Sequence, residues 1–215
     1  MAQTAAPAPP DKFRDLIVES QQLQSQKKYT DALEKIHLAE ELQPNSPVIA
    51  NARGSIYTAM RDFDKAQEFF TKANEQNPDS FEPKFNLTEL DYVRGKYAAA
   101  ETSFADLLIQ HPKIRQEVRH LIQFKVLVCQ LKQNKMSEAE ATVKAFTFMD
   151  DTPAYYFAKA SFAFQKNLKS EAQEWLSKAG AIFKLQNNAA YLDTLMEAHW
   201  IESIEVPEET VKPKP

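Results

Sequence analysis

The stretch RDFDKAQEFFTKANEQNP, from Arg61 to Pro78, sets small residues at Ala66 and Ala73, a large aromatic at Phe70 between them, and a proline five residues beyond Ala73. The same pattern lands on Ala32, Ile36, Ala39 and Pro44 toward the N-terminus and, at an equal interval the other way, on Ala100, Phe104, Leu107 and Pro112. An aromatic three residues before the first alanine repeats with it, as Tyr29, Phe63 and Tyr97. Three copies in one register make this a repeat and not an isolated amphipathic helix.

Each copy also has an upstream half. ANARGSIYTAM carries Gly54 and Tyr57 at helical spacing, and PKFNLTELDYVRGKY carries Phe85, Asn86 and Leu87 before Gly95 at a turn, so each unit reads as helix, short turn, helix. The register then slips. Ala139 and Val143 in MSEAEATVKAF follow Ala100 at an interval five longer than the one from Ala66 to Ala100, whereas Ala172, Leu176 and Ala179 in LKSEAQEWLSKAG return almost to the original spacing. The expected organisation is five hairpins over 12–184 (13–46, 47–80, 81–114, an irregular 115–152 and 153–184). A helix over 185–205, with Leu192, Leu195, Met196, His199 and Trp200 at spacings of three and four, caps the open end. The Ala/Pro-rich residues 1–11 read as a flexible segment and the charged, proline-rich 206–215 as a disordered tail.

Positions three and four apart lie on one face of a helix, so small residues let a neighbouring backbone approach while Phe70 fills the gap. One hairpin cannot bury both of its faces, but a stack of hairpins can. The prolines end each second helix by removing a donor and restricting the residue before them. The spacing and residue types resemble the tetratricopeptide repeat over residues 13–180, and the third copy, FEPKFNLTELDYVRGKYAAAETSFADLLIQHP, follows that pattern without a gap. The resemblance implies an all-α, right-handed superhelical solenoid that binds a protein partner. Departures are Asp91 where the family has a buried aromatic, Glu19 and Arg53 where it has Leu, and a fourth copy without its terminal proline.

Composition narrows the function classes. The 215 residues are 43% hydrophobic, enough for a core, with a net charge of −4 and a pI near 5.7. That balance offers no cationic field for nucleic acid. Three glycines, Gly54, Gly95 and Gly180, leave no phosphate-cradling loop and hence no expected nucleotide cofactor. The lone Cys129 sits in the apolar run FKVLVCQL and reads as a buried hydrophobe. No apolar run approaches the roughly 18 residues of a membrane span. MAQTAAPAPP lacks an export signal but resembles the stalk that follows a removed one, which would make the protein a periplasmic or exported bacterial product in envelope assembly or secretion; read as a plain terminus, it leaves the protein cytoplasmic.

Catalytic signals are weak. His37, His111, His120 and His199 show no metal-ligand spacing with one another or with Cys129, so no metal is expected. Asp150 and Asp151, followed by Thr152 and Pro153, read as a cap for the helix opening PAYYFAKASF. No nucleophile motif or acid–base set is recognisable, and the chain reads as a non-enzyme. In the family it resembles, the first helix of each hairpin lines a concave groove. The register places Asn51, Ser55, Phe85, Asn86, Glu89 and Tyr92 there, with Phe124, Lys125, Phe157, Ser161 and Phe164 from the fourth and fifth copies. Aromatics with amides and hydroxyls suit a peptide or a partner helix. The subgroup that clamps a C-terminal carboxylate uses Lys, Asn and Arg where this chain has Ile17, Gln21, Ala52, Glu82 and Asn86, and Glu82 would repel a carboxylate. The reading is a groove-binding scaffold without cofactor; the alternative is self-association into an assembly through the repeat ends and the C-terminal helix with Trp200.

Overall fold

A computed structural model describes residues 10–202 of the chain. The tail expected over 206–215 lies outside these residues, as does the N-terminal segment apart from Pro10 and Asp11, with which the first helix opens. Among the described residues every regular element is a helix and none is a strand, and the chain divides into two compact units, Met1–Arg94 and Gly95–Pro215. The first holds α1 (Pro10–Ser25), α2 (Tyr29–Leu42), α3 (Pro47–Ala59), α4 (Phe63–Gln76) and α5 (Phe81–Val93). The second holds α6 (Tyr97–Gln110), α7 (Gln116–Lys132), α8 (Met136–Val143), α9 (Ala154–Gln165), α10 (Lys169–Ile182) and α11 (Leu185–Glu197).

The repeat is written into the backbone. Lys27, Arg61, Gly95, Asn134 and Asn167 all adopt left-handed conformations with φ between 59° and 73°, and each stands five residues before the alanine that opens a second helix: Ala32, Ala66, Ala100, Ala139 and Ala172. The left-handed residue reverses the chain inside each copy, and Gly and Asn, which hold three of the five positions, tolerate it best. The five alanines are fully buried. A larger side chain at Ala32, Ala66, Ala139 or Ala172 would push the paired helix of the same unit away. Gly54 plays the same part from the opposing helix, since a Cβ there would stand 2.5 Å from the ring of buried Phe70.

Two of the departures from the family pattern form ion pairs between helices. Glu19 on α1 meets Lys35 on α2 at 2.6 Å, and Arg53 on α3 makes a bidentate contact with Glu40 on α2 at 3.0 and 2.6 Å while lying over the Phe69 ring. Arg53 holds the Glu40 carboxyl below its ordinary value. The planar guanidinium therefore substitutes for leucine by covering an aromatic face with its charge satisfied.

In the second unit the irregular fourth copy shows its cause. Its first helix, α7, is 17 residues long and its second, α8, only 8. Residues 144–153 replace the missing turns, burying Phe146 and exposing Phe148 and Met149. Asp150 does not cap α9: its carboxylate accepts from the Thr147 amide at 2.7 Å and ties this connection, while Pro153 stands at the N-cap without a side-chain bond. Proline supplies the helix-compatible φ, so the helix starts without a cap.

Glu101 on α6 locks the α7–α8 turn, accepting from Gln130 (3.2 Å), Gln133 (2.8 Å) and Lys135 (2.7 Å). Burial pushes its carboxyl upward, but these three donors outweigh it and hold the group below its ordinary value. Its contribution to stability is thus present above the unfolded-state value of about 4.3 and is lost as pH falls through the lower folded value. Glu101→Gln is expected to cost about 1–3 kcal/mol at neutral pH and to reduce the loss of stability in acid, read from urea midpoints across a pH series. Gly54→Ala, despite a helix-propensity gain of about 1 kcal/mol, is expected to destabilise through overpacking against Phe70. Phe70→Leu in the same chain should recover part of that loss in a urea titration.

Candidate functional site

The first helices of the first unit carry polar side chains that bond to one another across helix boundaries. Asn86 on α5 donates through Nδ2 to Asn51 Oδ1 on α3 at 2.9 Å. Gln24 on α1 donates to the Ser55 carbonyl at 3.2 Å and to its Oγ at 3.1 Å. Phe85 stacks on Phe81, centroids 5.5 Å apart. Asn51, Ser55, Phe85, Asn86 and Glu89 are all half-buried. An amide has two donor hydrogens and two acceptor lone pairs, and the Asn86–Asn51 bond occupies one donor of the first and one acceptor of the second. Tyr92, named with them from the register, is instead fully buried.

Gln24 and Phe81 were not picked out by the repeat register. Gln24 lies one helical turn beyond Gln21, which occupies the repeat position of Ser55, so its face was readable; its reach to α3 was not. Phe81 is the first residue of α5 and reaches the site by pairing with Phe85 one turn on.

In the second unit the register residues are under cover. Phe124 on α7 and Phe157 on α9 are fully buried, each 5.2 Å from the ring of Tyr191 on α11. Phe164 stacks on Trp200 with centroids 6.0 Å apart and planes 13° from parallel. Lys125 is buried and donates to the Thr194 hydroxyl at 3.0 Å. Ser161 is buried and donates to the Phe157 carbonyl on its own helix at 2.9 Å. Of the residues expected to line an open groove here, Phe124, Lys125 and Phe157 lie beneath α11, half-buried Phe164 lies against Trp200 just past that helix, and Ser161 turns back on its own backbone. Trp200, on which self-association was to rest, is engaged within its own unit.

Two further groups fasten α11. Lys132 on α7 donates to the Ala198 carbonyl at 2.9 Å and stands over the rings of Trp200 (5.5 Å) and Tyr97 (5.7 Å). Burial holds its ammonium below the ordinary value. A cation at the C-terminal carbonyls of a helix is favourable both as a cap and toward the dipole. Burial pushes the Tyr191 phenol upward, against a smaller opposing influence of Thr152. Thr152 also bonds His120 Nδ1 at 2.8 Å, with the imidazole edge-on to Phe146. His120 and buried Cys129 therefore sit in packing positions.

Thr194→Val keeps the shape of this contact and removes one hydrogen bond from a buried ammonium. It is expected to cost about 1–3 kcal/mol, seen as faster amide exchange in α11. Lys125→Met combined with Thr194→Val, which removes the buried ammonium together with this acceptor, should be nearer to the parent protein than Thr194→Val alone.

Residues 57–123 match the family model of the tetratricopeptide repeat. A thermophilic TPR protein of Thermus thermophilus is 18% identical, the alignment covering 86% of this chain and 99% of that one with a TM-score of 0.63. PilW, a widely conserved type IV pilus biogenesis factor, is 18% identical, with 91% and 89% covered and a TM-score of 0.65. PilF of Pseudomonas aeruginosa is 12% identical, with 88% and 89% covered and a TM-score of 0.63. At these identities the likeness is one of fold. No curated protein matches the sequence. Among the described residues no helix is long and apolar enough to cross a membrane. The left-handed turns, the buried alanines and the family match over residues 57–123 give the chain a helical-repeat fold similar to that of tetratricopeptide-repeat proteins.

Proposed function

We propose that the chain is a non-enzymatic scaffold whose first unit holds an extended peptide or protein segment of a protein partner against α1, α3 and α5. The observation that carries this reading is the Asn51–Asn86 bond between consecutive first helices, bordered by the Phe81–Phe85 stack. Paired amides hold each other in fixed orientation while keeping hydrogen-bonding capacity for a peptide backbone, whose N–H and C=O groups must be satisfied when covered. The aromatic pair beside them supplies apolar area, and aromatic side chains dominate interface energetics. Gln24 and Ser55 extend the polar row by one more helix, which suits a ligand running across the helices instead of along one.

A random peptide library selected against the full chain tests this. Enriched peptides should lose at least about tenfold in affinity, roughly 1.4 kcal/mol, against a Phe85→Ala/Asn86→Ala double variant that melts as the parent does. Equal binding to parent and variant would move the site off this face. A discrete oligomer in both, with no enriched peptide, would favour the assembly reading.

A further inference from the structure

The first helices α1, α3, α5, α7 and α9 place equivalent residues at equivalent positions. Phe85, Phe124 and Phe157 follow one another at the same two intervals as Ala100, Ala139 and Ala172. Asn86 and Lys125 correspond in the same way. In the first unit these positions are half-buried, whereas in the second they are covered by α11. That helix enters through a two-residue extended connection, Phe183 (φ −111°, ψ 142°) and Lys184 (φ −61°, ψ 153°). It closes as the other first helices do: His199 is left-handed at φ 57°, and the Trp200 amide bonds the Leu195 carbonyl, five residues back, as Lys28 does Leu23 and Asp62 does Tyr57.

We propose that the α7–α9 face is a receptor for an amphipathic helix, that α11 occupies it in the free chain as a removable plug, and that a partner helix of α11's chemistry exchanges with it. The seated helix defines that chemistry. It has a phenol ring between two phenylalanines (Tyr191), a hydrogen-bond acceptor three residues on that meets the buried ammonium of Lys125 (Thr194), and C-terminal carbonyls and an indole at Lys132 and Phe164 (Ala198, Trp200). Lys125 and Lys132, which meet Thr194 and the Ala198 carbonyl, are seven apart on α7, and Phe157 and Phe164, which meet Tyr191 and Trp200, are seven apart on α9. Helix-in-groove binding is read through such two-turn spacings. The plug is buried along one face, Asn188, Tyr191, Thr194, Leu195 and Ala198; it follows α10 through the two extended residues and touches it again where Asn188 donates to the Ala179 carbonyl at 3.4 Å and to the Phe183 carbonyl at 3.0 Å. A helix tethered so closely competes at an effective concentration on the order of millimolar, which sets the affinity a partner must exceed. This inference is independent of the first unit's face and stands if no peptide binds there.

The probe is a labelled peptide of residues 184–201, titrated into the full chain and into a full chain whose own α11 is loosened by Tyr191→Ala/Trp200→Ala. The loosened chain, with helix content retained by circular dichroism, should bind at least tenfold more tightly than the parent. Peptides carrying Tyr191→Ala, Thr194→Val or Trp200→Ala should each bind it more weakly. In the parent, α11 amides should exchange with solvent faster than those of α7 and α9, and excess peptide should accelerate them further. Exchange of α11 only together with α7 and α9, or no peptide binding by a folded loosened chain, would make α11 a permanent part of the core and overturn the proposal. A concentration-dependent dimer in place of peptide binding would assign the face to a second copy's α11 and overturn the partner reading.

Discussion

Each hairpin that lies within one unit depends on how closely two helix backbones can approach at one alanine. Ala32, Ala66, Ala100, Ala139 and Ala172 are fully buried, and the left-handed turn residue stands five positions before each of them. The two features act together, because the turn fixes where the second helix begins and the alanine lets it lie against the first. The large residue four positions on, Ile36, Phe70 or Phe104, is then forced into the space between neighbouring helices and buried. Burying such a side chain contributes about 1.5–3 kcal/mol, so the stability of each copy rests on a contact that only a small residue permits.

This constraint explains why so much of the fold was legible. A backbone requirement recurring at fixed intervals leaves a residue-type signal at those intervals, and the lengthened step from Ala100 to Ala139 is matched by the step from Gly95 to Asn134. What the pattern could not carry was pairing between side chains of unlike type. Arg53 and Glu19 read as softened leucine positions, yet each has a carboxylate or ammonium partner on α2. Asp150 read as a helix cap because Asp before Thr-Pro fits one; the shortened α8 left a connection with its own unsatisfied amide at Thr147, and that nearer donor took the carboxylate.

The second unit shows the physical cost of mixing charge into a packed face. Lys125 is buried, and a buried ammonium needs acceptors placed to satisfy it. Thr194 supplies one of those contacts from α11, so the position of that helix is set by polar geometry as well as by its rings. Glu101 works in the same manner where α7 runs into α8, three donors from the end of α7 and the following turn converging on one carboxylate. Apolar contacts alone would tolerate a helix shifted along its axis; hydrogen bonds to buried charges do not.

Register reading identified which face of each first helix turns inward and stopped there, because periodicity reports a face and carries no information about what lies over it. Phe85 and Phe124 hold the same position in consecutive copies, and nothing in either local sequence distinguishes a half-buried ring from a fully buried one. The difference is made by Tyr191, far along the chain from Phe124, on a helix that is itself of the first-helix type by its closing turn. A first helix without a following second helix among the described residues has an inward face still to bury, and the phenylalanines of α7 and α9 are the apolar surface of matching spacing within its unit. The same register that builds the array therefore also builds the surface on which its last helix settles.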